Sequence, residues 1–184
     1  MIPFTPIGFI RAEVAVMASA VPPAENKPAQ PMTATASVTA TAGKNGIAGA
    51  AISYKSITDA IAKAQADAKA QGKTANGISV GLNVTMPEGA TSLTATLTQN
   101  SLNSLVSTGV SRLALDGVPV SLGLDLNAIK EIQKQSSGNI SITIAPATGL
   151  SNEAKTLLGN RPVYNITISY VKDGKIVNVT SLGN

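Results

Sequence analysis

The stretch from Arg112 to Ile144 constrains this chain more than any other. Leu113 and Leu115 lead into Asp116-Gly117, a dipeptide suited to a tight hairpin turn. Val118, Val120, Leu122, Leu124 and Leu126 then alternate with Pro119, Ser121, Gly123, Asp125 and Asn127. Period two is the pattern of a strand with one buried face. The spacing next predicts a short helix over residues 126–135, then a second strand on Ile140, Ile142 and Ile144. Hairpin, helix and strand in direct succession call for an α+β fold. We expect a mixed, mainly antiparallel sheet or a sandwich-like core, with three to four short interleaved helices.

The flanking sequence fits that unit. On the N-terminal side, residues 56–71 read as a helix with Ile57, Ala60, Ile61, Ala64 and Ala68 on one face. Asp59–Lys63 and Lys63–Asp67 are four apart on the other face and support each other. Ser56 is placed to cap the start and Gly72 to end it. Asn76-Gly77 turns the chain, and Ile78, Val80, Leu82 and Val84 alternate up to Pro87. Leu93, Ala95 and Leu97 make the next strand. A local grammar then occurs twice. Leu97 precedes Thr98, with Leu102 four residues beyond; Leu124 precedes Asp125, with Ile129 four beyond. Each set reads as a helix cap inside a hydrophobic staple. Ser151 is positioned to cap a further helix through Leu158. Tyr164, Ile166, Ile168 and Tyr170 share one face of the longest strand, and Asp173-Gly174 turns it back onto residues 176–182.

The first fifty residues read differently. Residues 1–21 are apolar in patches, and Ala18-Ser19-Ala20 has the small-residue form of a signal cleavage site. The basic n-region is missing, however, and Arg11 and Glu13 fall where the apolar core of a signal belongs. A fragment start or a joining segment fits better. Pro22, Pro23, Pro28 and Pro31 mark an extended linker. Thr33 to Thr41 is either a first edge strand or a continuation of that linker, and Gly43 to Gly49 is a turn region. The division expected is therefore an N-terminal segment and linker over residues 1–50 and one module over 51–184. No run is long enough for a membrane-spanning helix.

Composition narrows the chemistry. The chain has no Cys and no His. Thiolate nucleophiles, thiolate metal sites and any Ser-His-Asp or Cys-His arrangement are thereby ruled out. Net charge is +4 and thinly spread, and aromatic residues make up 3% with no Trp. A nucleic-acid partner is not expected, since phosphate contact needs a dense basic patch and base stacking needs aromatic platforms. Charged residues make up only 13%, against about 25% in an ordinary soluble domain. Ser, Thr, Asn and Gln take over the solubilising role, a composition associated with exported surface proteins.

The segments Thr98-Gln99-Asn100-Ser101-Leu102 with Leu105, the run from Leu113 to Asn127-Ala128-Ile129, Ile140-Ser141-Ile142, and Arg161-Pro162-Val163-Tyr164 with Ile166 together resemble a module of Gram-positive cell-surface proteins. The proteins it resembles also carry Ig-like domains and S-layer-homology repeats. The resemblance covers roughly the last 130 residues. It implies a non-catalytic structural or interaction role at the cell surface or cell wall. The implied partners are neighbouring domains of a longer parent chain and, in the alternative reading as an adhesin, cell-wall or host glycans. It assigns no catalytic residue and no cofactor. Members continue into a further strand past the position of Asn184, so a module cut short at its C-terminus is expected.

Each candidate for chemistry has a plainer explanation beside it. Asp116 with Asp125 would make a carboxylate pair of the kind glycosidases use, but Asp116 is a turn former and Asp125 a helix cap. Glu131 and Glu153 sit on short helices as solubilising residues, and Asp173 is again a turn residue. The ten acidic residues are dispersed, without calcium-loop spacing. Gly43 to Gly49 lacks the Lys-Ser or Lys-Thr ending of a phosphate loop. Asn83-Val84-Thr85, Asn165-Ile166-Thr167 and Asn178-Val179-Thr180 match the glycosylation acceptor pattern, as a Thr-rich chain does by chance. Tyr164 and Tyr170 are the candidate ligand-binding residues, as aromatic platforms for a sugar. Their shared parity with Ile166 and Ile168 equally places them at the rim of the core.

Overall fold

The structure, a computed structural model, describes residues 29–159 and 161–183. The signal-like segment and most of the proline linker lie outside the described residues. The fold is α+β, with two sheets and four helices between strands. The strands are β1 (Met32–Thr39), β2 (Thr41–Ala42), β3 (Ile47–Ile52), β4 (Ile78–Thr85), β5 (Ser92–Leu97), β6 (Arg112–Asp116), β7 (Leu122–Asp125), β8 (Ile140–Pro146), β9 (Tyr164–Lys172) and β10 (Lys175–Asn178). The helices are α1 (Tyr54–Ala70), α2 (Gln99–Ser107), α3 (Leu126–Gln135) and α4 (Asn152–Leu158).

One sheet has the order β1-β4-β6-β7 and the other β10-β9-β8-β5-β3-β2. The pairings β1–β4, β4–β6 and β3–β5 are parallel; the rest are antiparallel. The chain therefore coils. It lays a strand in the four-stranded sheet, crosses to a strand in the six-stranded sheet, and returns through a helix. β1–β3–α1 is the first turn of this coil and β4–β5–α2 the second, stacked in parallel register on the first. In the third turn β7 folds back along β6 instead of crossing, and α3 then leads to β8, antiparallel to β5. Successive helices pack side by side, α1 on α2 and α2 on α3.

Each turn enters its helix by the same device. Ser53, Thr98 and Asp125 accept a hydrogen bond from the backbone N–H three residues on, at 3.0, 3.1 and 2.8 Å. Each satisfies one of the N–H groups a helix start leaves open and contributes about 1 kcal/mol. The residue before each cap and the residue four after it are buried: Ile52 with Ile57, Leu97 with Leu102, Leu124 with Ile129. The grammar read twice in the sequence thus occurs a third time, and Ser53 rather than Ser56 caps α1. Ser151 repeats the capping bond for α4, at 3.2 Å, but α4 buries none of its side chains.

The core is one continuous cluster between the sheets and the first three helices. Ile57, Leu82, Leu93, Leu97, Leu105, Ile129, Ile132 and Ile142 are among its largest fully buried members. The inward face of α1 is largely Ala60, Ala64 and Ala68, which lets the helix lie close on β1 and β4. On its outward face Asp59 pairs back to Lys55, not forward to Lys63, and Lys63 pairs with Asp67.

The structure also corrects several local expectations. Residues 47–49, expected within the turn region 43–49, instead begin β3. Of the two readings of residues 33–41, the structure has the edge strand, β1, with Ala34 and Val38 buried. The Asp116-Gly117 turn is wider than a two-residue hairpin, because pairing resumes only at Leu115 opposite Leu122. Gly117, at φ +77°, carries the chain close over the end of β4, where Val84 O and Asn83 Oδ1 leave no room for a Cβ. Asp173-Gly174 is the tight turn expected, both residues at positive φ between Lys172 and Lys175. Val179 N still donates to Ile168 O of β9, at 2.8 Å. Gln135 of α3 then clasps the chain, accepting from Thr180 N at 2.9 Å and donating to Ser181 O at 2.8 Å.

Candidate functional site

The six-stranded sheet presents a regular outer face. Strand alternation turns Leu93, Ala95 and Leu97 inward, and Thr94 and Thr96 outward. The register sets Thr94 opposite Thr143 and Thr143 opposite Thr167; Thr96 lies opposite Ser141, and Ser141 opposite Ser169. Two rows of hydroxyls therefore cross β5, β8 and β9. Thr94 and Thr143 share a hydrogen bond of 3.2 Å, and Thr96 and Ser141 one of 3.5 Å. These cross-strand pairs stabilise the sheet by a few tenths of a kcal/mol to about 1 kcal/mol each. Beside them Gly49 and Ala51 of β3 make the floor of a shallow trough of about 360 Å³, walled by Thr41, Thr94 and Thr96. These rows carry no ionisable side chain. At the far edge the face turns apolar, with Val171 and Ile176 paired and exposed.

The two candidate tyrosines lie on β9 with the expected parity. Tyr170 is only 9% exposed and belongs to the core; Tyr164 is half-buried and packs against it. Tyr170 pairs with Ile140 and Tyr164 with Pro146. They lie six steps apart along the strand, about 20 Å at the usual rise, so they do not form one platform. Ile166, between them, is 44% exposed although its cross-strand partner Ile144 is fully buried. Tyr54 at the start of α1 accepts from Ser104 Oγ of α2 at 3.3 Å.

The carboxylates are likewise spread out. Asp125 lies opposite Arg112, and Asp116 is four residues further along β6. That sets their backbones about 13 Å apart along the strands, beyond the roughly 5–9.5 Å between working glycosidase carboxyls. Asp125 is committed to its capping bond. Glu131 is ion-paired with Lys134 on the surface of α3. The pKa of Glu153 is lowered, first by its own backbone N–H and then by the Ser151 hydroxyl. Among the described residues no group of three or more acidic side chains gathers as a metal site requires, and no helix is long and apolar enough to cross a membrane.

Two further depressions flank the four-stranded sheet. One, of about 320 Å³, has Thr33, Ser79, Arg112 and Asp116 in its walls. The Arg112 guanidinium lies flat over Gly123, the only residue type without a side chain to displace it. The other, of about 360 Å³, lies between the end of α1, the start of β4 and the end of α2, with Lys69 its ionisable group. The hydroxyl rows were within reach of sequence reading, since Thr94-x-Thr96, Ser141-x-Thr143 and Thr167-x-Ser169 are all polar positions of alternating strands. Their alignment depends on register, which no local pattern carries. Neither a protein-family model, nor a curated protein, nor a solved structure matches this chain.

Proposed function

We propose that the chain is a non-catalytic structural and interaction module of a modular bacterial cell-surface protein, working outside the cytoplasm beside neighbouring domains of a longer parent. One observation carries this reading: the outer face of the six-stranded sheet is an uncharged ladder of Ser and Thr, while of the two candidate tyrosines Tyr170 is buried in the core and Tyr164 packs against it. A sugar-binding site needs an aromatic platform or a concave set of exposed amides. A spacer needs a neutral face that resists sticking and a body whose alternate side chains are spent on packing. The low charge and the resemblance to Gram-positive surface modules support the same location.

Two measurements test it. Protease applied to intact cells of the source bacterium is expected to release fragments of the chain; release only after lysis refutes the surface assignment. On an array of cell-wall and host glycans, no saturable binding is expected. Saturable binding that Tyr164→Ala abolishes, with the fold intact by circular dichroism, would replace this reading with the adhesin alternative.

A further inference from the structure

We propose that the chain forms a two-fold symmetric dimer through the open edge of β1, the partner being a second copy of itself. Met32 N donates to Gly77 O and Ala40 N to Thr85 O, so the even-numbered residues of β1 turn their backbone groups to β4. By alternation Thr33, Thr35, Ser37 and Thr39 turn N–H and C=O to the open side. An edge of this length without a guard is a template for strand addition.

Among the described residues the other terminal strands are short, and β1 is the long one. β2 has two residues. β7 is short and ends at Asp125. β10 is short, with Lys172 and Lys175 at its turn. β1 runs for eight residues without a charge or a proline. Its side chains also leave the edge clear. Thr33 Oγ1 bonds Ser79 Oγ at 2.9 Å, and Thr35 leans over Gly81, where a Cβ would lie 2.9 Å from its hydroxyl. Both therefore reach inward across β4.

The strand is complementary to itself. With Ala36 on the two-fold axis, antiparallel pairing sets Thr35 opposite the second copy's Ser37 and Thr33 opposite its Thr39. These are the residues whose backbone groups face away from β4, so each pair exchanges both of its hydrogen bonds. The outer side chains meet as Thr–Ser and Thr–Thr, favourable cross-strand neighbours, and no like charges are opposed. The result is one continuous sheet with closed symmetry, which ends association at two copies.

Light scattering after size exclusion tests this on the full chain across a wide concentration range. The expected result is twice the monomer mass. Ser37→Pro removes an outward N–H and leaves the β4 ladder untouched; it is expected to halve the mass with the circular dichroism spectrum unchanged. Ala36→Cys gives the chain a single thiol. Across the axis the two Cα atoms would be about 4.5 Å apart, within disulfide range, so oxidation is expected to give a covalent dimer. A monomeric wild type overturns the proposal. So does a folded Ser37→Pro protein that stays dimeric, which would move the contact to another surface such as Val171 and Ile176. Should Ser37→Pro lose its fold, the cysteine variant decides, and failure to cross-link a dimeric protein overturns the proposal.

Discussion

Three glycine-to-alanine substitutions separate backbone conformation from close packing. Gly89 is at φ +75° with open space around it, and Gly117 is at φ +77° pressed against the end of β4. Gly123 is outside the positive-φ set, and the three atoms nearest a Cβ there all belong to the Arg112 guanidinium. A left-handed alanine costs about 1–2 kcal/mol, partly offset by about 0.4–1 kcal/mol from a stiffer unfolded chain. Gly89→Ala is therefore expected to lose about 1 kcal/mol. Gly117→Ala carries the same cost and must also push its Cβ clear of Val84 O and of Asn83 Oδ1, the latter only 2.7 Å away. Overpacking of that kind adds about 1–3 kcal/mol, for a total near 2–4 kcal/mol. Gly123→Ala moves only the end of a flexible side chain and is expected to cost under about 0.5 kcal/mol. Urea denaturation followed by circular dichroism reads all three. At a slope of about 1–3 kcal/mol/M the Gly117 variant should unfold roughly 1 M before the Gly89 variant. Equal midpoints for those two would refute the seating of the β6–β7 loop on β4.

Ile129→Ala opens a fully buried site where α3 meets the core, and is expected to lose about 2–5 kcal/mol in the same urea assay. Asp125→Ala removes the cap of α3 and should cost about 1 kcal/mol, while Asp125→Asn should recover most of it; equal losses would mean that charge rather than the capping bond matters. Glu153 has a folded pKa below its ordinary value of 4.5. Its contribution to α4 is therefore complete above that value and disappears as pH falls through the lower folded value. Amide exchange at Ala154 and Lys155 should quicken over that acid range, and exchange that stays flat there after correction for its intrinsic pH dependence would contradict the assignment.

Where sequence reading succeeded, the signal was local. α3 spans the residues the spacing predicts, because Asp125 caps it and Leu124 and Ile129 close around the cap. Asp173-Gly174 turns where expected, because few other dipeptides accept positive φ twice. β3 was hidden by its composition: in Ile47-Ala48-Gly49-Ala50-Ala51-Ile52 small residues mask a period of two, and the glycines read as turn. With β3 lost, Ile52 and Ser53 no longer looked like a staple and a cap, and Ser56 took the role. Residues 118–121 keep alternating burial but lie outside any strand, so their pattern was right and their pairing was not. The candidate tyrosines were legible in parity and not in depth, since only the reach of the core along β9 decides which is covered. The parallel stacking of β1, β4 and β6 lies in register between distant segments, and no nearby residue encodes it.

A core shared by both sheets through α1, α2 and α3 makes the coil one cooperative body. Native-state amide exchange at rising urea tests it most directly. Val80 and Leu82 of β4, in one sheet, and Ala95 of β5 and Ile142 of β8, in the other, should converge on a single opening free energy equal to that of global unfolding. Two distinct plateaus, one for each sheet, would show the sheets opening separately and would contradict the account.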